Sequence, residues 1–462
     1  MYKLSIILNQ SPRSQRMENG EATTVADENT QSQVYAWYMV SLCTIAYIFS
    51  FIDRTIINLL VEPIRADLDL SDTQFSLIQG LAFALCYASM GIPIARLADS
   101  KSRPLIISVG ILIWSIATAT CGATKTFWQL FVARMGVGVG EAALSPAAYS
   151  MIADSFPKSK LGLALGVYST GVFIGAGLAF IIGGTVVGYI SDFGIVDLPI
   201  IGIVKPWQMT FFIVGLPGVV IAALFALTIR DPKRKGVKDS AGFPIRDIAA
   251  YIILHKKTFA SHYLGFGFLS LALFAVLSWA AAFLIRKFGL EIKEVGFYLG
   301  VIALLGNSAG VLCSGLLTDF FTRRGYHDAP LRSAMIGGIG GILPSALIGF
   351  MPDLHGALIL MALSMFFTSF PLATSAAALQ LMAPNQMRAQ VTSLFFISLN
   401  IIGITGGSTL VALCTDYVFR EPTMVGYSMA VISASAAALG AMILCWGLKH
   451  FSATAQSISS NQ

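Results

Sequence analysis

"ARLADSKSRP", residues 95–104, and "GLLTDFFTRRG", residues 315–325, decide how this chain is organised. Each has a leucine followed by Ala98 or Thr318, then Asp99 or Asp319, and four positions later Arg103 or Arg323. Each is a short charged connection between two long apolar runs. One motif at matching places in two halves of a hydrophobic chain is the sign of a duplicated membrane fold.

The rest of the chain fits that reading. Of its 462 residues 56% are hydrophobic and only 12% charged, against roughly 25% charged in soluble domains. A membrane helix needs roughly 20 mostly apolar residues. Such runs lie near 37–61, 74–98, 104–122, 127–153, 160–190 and 207–229, then near 258–285, 293–317, 331–351, 355–381, 387–413 and 423–447. The expected fold is an all-α membrane protein, with twelve transmembrane helices in two six-helix halves. Residues 1–35 contain "NQSPRSQRMENGEATTVADENTQSQ" and read as a disordered cytoplasmic tail. The "LSIIL" before that stretch is too short for a secretory signal, and Met17 is a second candidate start. The halves occupy 36–229 and 258–448. The linker at 230–257 ends in "PIRDIAAYIILHKK", whose apolar spacing predicts a short amphipathic helix on the inner face. Residues 449–462 form a second cytoplasmic tail.

Lys and Arg set the orientation. They collect in the 2–3, 4–5, 6–7 and 8–9 connections, which puts both termini in the cytoplasm. Arg286, Lys287 and Lys293, after the seventh run, depart from this pattern. The net charge of +6 is therefore topological and implies no nucleic-acid partner. The six cysteines form no C-x-x-C pair and there is no histidine cluster, so neither a metal site nor a disulfide framework is expected. With no nucleophile–base set and no phosphate loop, the chain reads as a non-enzyme needing no cofactor.

The 95–104 stretch resembles the 2–3 loop signature of the major facilitator superfamily, G-x-L-A-D-x-x-G-R-[RK]. Leu97, Ala98, Asp99 and Arg103 follow it; Ala95 and Ser102 replace glycines and Pro104 replaces the last basic residue. "ARMGVGVGEA" and the glycine-spaced "GLALGVYSTGVFIGAG" also suit that superfamily. Within it, "FIDRTIINLLVEPIRADLDLSDTQFSLIQ" and "RMGVGVGEAALSPAAYSMIADSFP" resemble the first and fourth helices of the spinster family. That resemblance implies a transporter of lysolipids or sphingolipid phosphates with proton involvement.

Ionisable side chains within membrane helices are costly and mark functional sites by default. The first half has four: Asp53, Arg54, Arg134 and Glu141. At about 1.5 Å per residue, Asp53, Arg54 and Arg134 share one depth and Glu141 lies about 10 Å deeper. Asp53 and Arg54 point about 100° apart, which makes Asp53 with Arg134 the natural pair and leaves Glu141 without a partner at its depth. Asp53 and Glu141 are therefore the candidates for proton coupling, and Arg54, Arg134 and Glu141 for substrate binding. Asp99, Arg103, Asp319 and Arg323 lie at the cytoplasmic ends and are expected to form a conformational latch. Helices 7 to 12 carry almost no deep charge; Trp279, Asn307 and Phe370 are the cavity candidates there. A charged wall facing a Phe-rich one suits an amphiphile. The expectation is a monomeric secondary transporter working by alternating access in a plasma or bacterial inner membrane. Its partners would be protons, membrane lipids and a lipid-like substrate. A carrier of small organic anions or drugs, and a non-transporting sensor, are the alternatives.

Overall fold

The computed structural model describes residues 12–198, 202–234, 245–384 and 387–459. Eleven helices in it are long and apolar enough to cross a membrane. In chain order with the fourth span they are α1 (Gln33–Asn58), α2 (Asp72–Ala98), α3 (Arg103–Cys121), α4 (in two pieces, Phe127–Glu141 and Leu144–Ser155), α5 (Lys160–Ser191) and α6 (Pro206–Thr228). The second half follows with α7 (Lys256–Phe288), α8 (Ile292–Arg323), α9 (Ala329–Phe350), α10 (Leu354–Met382), α11 (Gln390–Phe419) and α12 (Pro422–Ile458). This is the twelve-helix fold that the apolar runs predict.

The break in α4 has a local cause. Pro146 has no N–H to offer the carbonyl four residues back, at Ala142. The helix stops after Glu141 and resumes at Leu144. The glycines before the break allow close packing. A Cβ on Gly138 would sit 2.5 Å from the Phe83 carbonyl oxygen of α2, and one on Gly140 would sit 2.5 Å from the Trp114 nitrogen of α3. Backbone-to-backbone approach of this kind is how small residues hold membrane helices together.

The start of α2 is also written locally. Ser71 and Gln74, within "LSDTQ", form a reciprocal capping box. That box places Asp72 in the first turn, where it is fully buried. Between α5 and α6 a two-stranded antiparallel hairpin pairs Val196–Leu198 with Gly202–Val204. Two further features differ from expectation or refine it. The helix containing α1 begins at Pro12, so residues 12–32 are helical rather than irregular. That stretch has no proline after Pro12 and several helix-favouring Glu, Ala and Gln residues. Within the linker, Ile245–Leu254 is helical, with Ile248 buried and Tyr251 donating to the Met382 carbonyl of α10 at 3.0 Å.

The halves meet at the end of the molecule that carries Asp72. There α5 crosses α8 at Gly184 and Gly296, and α2 crosses α11 at Gly80 and Ser408. Helices 2 and 5 of one half thus pack on helices 11 and 8 of the other, as two related repeats would.

Candidate functional site

The four deep charges of the first half converge on one place. Ser50, Asp53 and Arg54 come from α1, and Arg134 and Glu141 from α4. Glu141 is the last residue before the α4 break and is buried. Its Oε2 accepts from Arg54 Nη2 at 2.5 Å, from Arg54 Nε at 3.2 Å and from Ser50 Oγ at 2.7 Å. Its Oε1 is buried with no hydrogen-bond partner. Ser50 and Arg54 are one turn apart on α1, so a single carboxylate oxygen bridges both.

Arg54 is the member of the group that reaches open space, with 18% of its side chain exposed. Its guanidinium carbon lies 4.3 Å from the Phe83 ring centroid, 4.7 Å from Phe51 and 5.2 Å from Tyr87. Three aromatic faces hold the cation by its charge and leave it next to an apolar surface. Beyond Phe51 the rings continue: Tyr47 packs on Phe51 at 5.3 Å and stacks on Tyr168 at 4.7 Å.

Arg134 does not pair with the Asp53 carboxylate. Its Nη1 donates to the Asp53 carbonyl at 3.0 Å and its Nη2 to the Arg54 carbonyl at 3.3 Å. These carbonyls lie where α1 tightens into the 3₁₀ turn Ile56–Asn58, and helix ends leave carbonyls short of intrahelical donors. Asp53 Oδ2 accepts from Thr118 Oγ1 at 3.3 Å, and its Oδ1 is buried without a partner. The expected Asp53–Arg134 pair is therefore replaced by Arg54–Glu141, and Glu141 is not partnerless. The reason is side-chain direction. Helical side chains lean toward their own N-terminus. On α1 that carries Arg54 down to the level of Glu141.

Formal charges cancel when both acids are ionised. Each carboxylate then has one engaged and one bare buried oxygen, and a buried acceptor without a donor is costly.

The second half contributes less than expected. Trp279 is fully buried, and its indole N–H donates to the Ser408 carbonyl at 2.9 Å. Phe370 is buried against Gly337 of α9. Both serve helix packing and not an open wall. Asn307 is buried at the end of a wide π-type turn of α8, with its Oδ1 unpartnered.

Residues that the sequence reading passed over join the halves. Arg286 of α7 binds Asp72 through both carboxylate oxygens at 2.7 Å each, and Glu62 at 2.7 Å. Arg65 adds a contact to Asp72 at 2.9 Å. Asp416 of α11 accepts from the Thr73 backbone and hydroxyl at 2.7 Å each. Between this clamp and the four charges, Gln79 Nε2 donates to Asn58 Oδ1 at 2.7 Å and to the Ser278 carbonyl at 3.1 Å. The signal for the clamp was present: Arg286 broke the basic-loop pattern because it faces acids across the halves.

At the opposite end Arg103 is buried and bonds within its own half and to the first residues of the linker. Its partners are Asp154 at 2.5 Å, Asp231 at 2.7 Å, Ser150 and the Pro232 carbonyl. Asp319 and Arg323 are exposed, and no ion pair joins them to the first half among the described residues. The Asp99 side chain lies outside the described residues. Among the described residues, then, Arg103 makes inner-face charge contacts while Asp319 and Arg323 enter no ion pair.

A family model described as Major Facilitator Superfamily matches residues 43–407. An MFS-type efflux pump of Mycolicibacterium smegmatis is 28% identical over 377 residues, spanning 80% of this chain and 82% of that protein. A hexuronate transporter of Bacillus subtilis is 23% identical over 420 residues, spanning 89% and 91%. Protein spinster of Drosophila melanogaster is 25% identical over 337 residues, spanning 70% of this chain and 51% of its own length. Among solved structures, a bacterial homologue of the human lysosomal transporter Spinster, inward-facing and occupied, superposes with TM-score 0.73 at 26% identity. The superposition covers 91% of this chain and 97% of that one.

Proposed function

The chain belongs to the major facilitator superfamily, and from that premise we propose that it is a proton-coupled carrier of an amphiphilic, lipid-like anion. The observation that carries this reading is the Arg54–Glu141 pair inside its aromatic box. Arg54 is the cation that an anionic headgroup can reach, and Phe51, Phe83 and Tyr87 offer an apolar surface beside it.

The mechanism follows from competition. Ionised Glu141 holds Arg54. A proton on Glu141 cancels that attraction and releases the guanidinium to the substrate anion. Proton and anion then bind together, and each raises the affinity for the other by the same factor. Asp53, whose Oδ1 is also bare, is the second carrier of charge. Arg134 positions the α1 backbone through its carbonyl bonds and does not meet substrate.

The basic connections set the orientation, with the Arg103 end cytoplasmic and the Asp72 end outside. The clamp of Arg286, Asp72 and Glu62 then closes the outer side, and the conformation is inward-facing. The carrier works as a monomer, rocking its halves about the charged site.

The second reading is a carrier of small organic acids. Two relatives favour it: a hexuronate transporter of Bacillus subtilis and a probable L-galactonate transporter of Escherichia coli. Competition between a lysophospholipid and a hexuronate for the purified protein separates the two. Displacement by the lysolipid at lower concentration supports the first reading; displacement by the hexuronate alone overturns it.

A further inference from the structure

The innermost turns of α7 and α12 pack directly on each other. Thr258 Oγ1 donates to the His450 carbonyl at 3.0 Å and lies 2.9 Å from Thr454 Oγ1. Basic side chains crowd around this contact. Lys257 and Lys449 are the charged neighbours of His450, and Lys256 is next in sequence. Lys256, Lys257 and Lys449 are exposed or nearly so, and none of them enters an ion pair among the described residues. Their charges are not compensated by an acid among the described residues and stand open to an anion from outside the chain.

The surroundings say which anion. One turn along α12 from His450, Trp446 is 47% exposed, with its ring 5.3 Å from the imidazole. Met442 is exposed one turn further. Tryptophan with an apolar face on one side and a polar group on the other sits at the membrane–water boundary. Ile253 and Leu254, at the end of the linker helix, are also exposed beside Lys256. Along α12 the surface therefore passes from apolar (Met442), through interfacial (Trp446), to polar and cationic (His450 and Lys449). The backbone N–H groups that open α7, at Lys256 and Lys257, add the positive end of a helix dipole.

We infer that this corner is a binding site for an anionic phospholipid of the cytoplasmic leaflet, with its phosphate among Lys257, Lys449 and His450 and its acyl chains along Trp446 and Met442. Basic pockets between membrane helices on the cytoplasmic side are suited to such headgroups. The site is on the second half, apart from Arg54 and Glu141, and stands whatever the transported substrate is. A lipid there would tie α7, α12 and the linker helix to the bilayer surface, fixing one half while the other rocks.

The test is native mass spectrometry of the full chain in detergent with phosphatidylglycerol or phosphatidylcholine added at equal concentration. Wild type should retain phosphatidylglycerol preferentially. Lys257→Gln with Lys449→Gln should weaken that retention by about fivefold per lysine, while Lys257→Arg with Lys449→Arg preserves it. If the double glutamine variant does not fold, Lys449→Gln alone carries the same expectation at the single-lysine level. Equal retention of both lipids by wild type, or unchanged preference in the glutamine variants, overturns the site. Displacement of the lipid by millimolar inorganic phosphate would make it a free-anion site and overturn the lipid assignment.

Discussion

Arg54 Nη2 lies 2.5 Å from Glu141 Oε2, while the second oxygen of the same carboxylate is buried and bonded to nothing. One oxygen is held by the arginine proposed to bind the substrate anion, and the other is the proposed place for the coupling proton.

Arg54→Lys keeps the charge but not the fork. A lysine has no Nε to join its terminal nitrogen on one oxygen, and its compact ammonium cannot spread over three rings. Anion affinity should fall about tenfold or more, the loss of one charge-assisted hydrogen bond. Isothermal titration with the best substrate anion measures it. Unchanged affinity would show that the headgroup binds elsewhere.

Asp72→Asn removes the charge that Arg286 grips through both oxygens. The pair is buried, and hydrogen bonds to charged groups contribute about 1.5–3 kcal/mol each. The population should move by at least about tenfold toward the conformation open at the Asp72 end. Spin-label distances across that end, between α1 and α7, would lengthen. An unchanged distance distribution would leave the clamp without a role in closure.

Gly140→Ala places a methyl group 2.5 Å from the Trp114 nitrogen and 2.6 Å from the Gly110 carbonyl oxygen. Backbone cannot rotate away as a side chain can, so overpacking should cost about 1–3 kcal/mol. Thermal denaturation in detergent should show lower stability than for Gly162→Ala, where a Cβ would meet nothing within 4 Å. Equal stability of the two would contradict the close α3–α4 packing.

The fold was legible because each span must supply its own apolar run, and because the 95–104 and 315–325 stretches mark the repeat. The identity of the deep charges was legible for the same reason: Asp53, Arg54, Arg134 and Glu141 stand out against their neighbours. Their pairing was not. Counting rise per residue places Cα atoms, whereas an arginine spans a further helical turn and leans toward its N-terminus. The α4 break could have been read from Pro146, which follows Glu141 by five residues. Whether Trp279 and Phe370 pack or line a cavity is not legible, because a buried aromatic in a packed helix and one lining a cavity share the same local sequence; here both are buried. The Arg286 clamp was hidden by treating loop charges as markers of topology alone.

The most direct test of the proton-coupling account is pH-gradient-driven uptake of the substrate anion by proteoliposomes carrying wild type or Glu141→Gln. Glutamine preserves the shape and an acceptor for Arg54 but cannot change charge. In wild type, anion binding should strengthen as pH falls, because protonated Glu141 frees Arg54. In the variant, the part of the pH dependence carried by Glu141 should be lost and gradient-driven accumulation should fall, while exchange of substrate across the membrane persists. Accumulation and pH dependence like those of wild type would contradict the assignment of the coupling proton to Glu141.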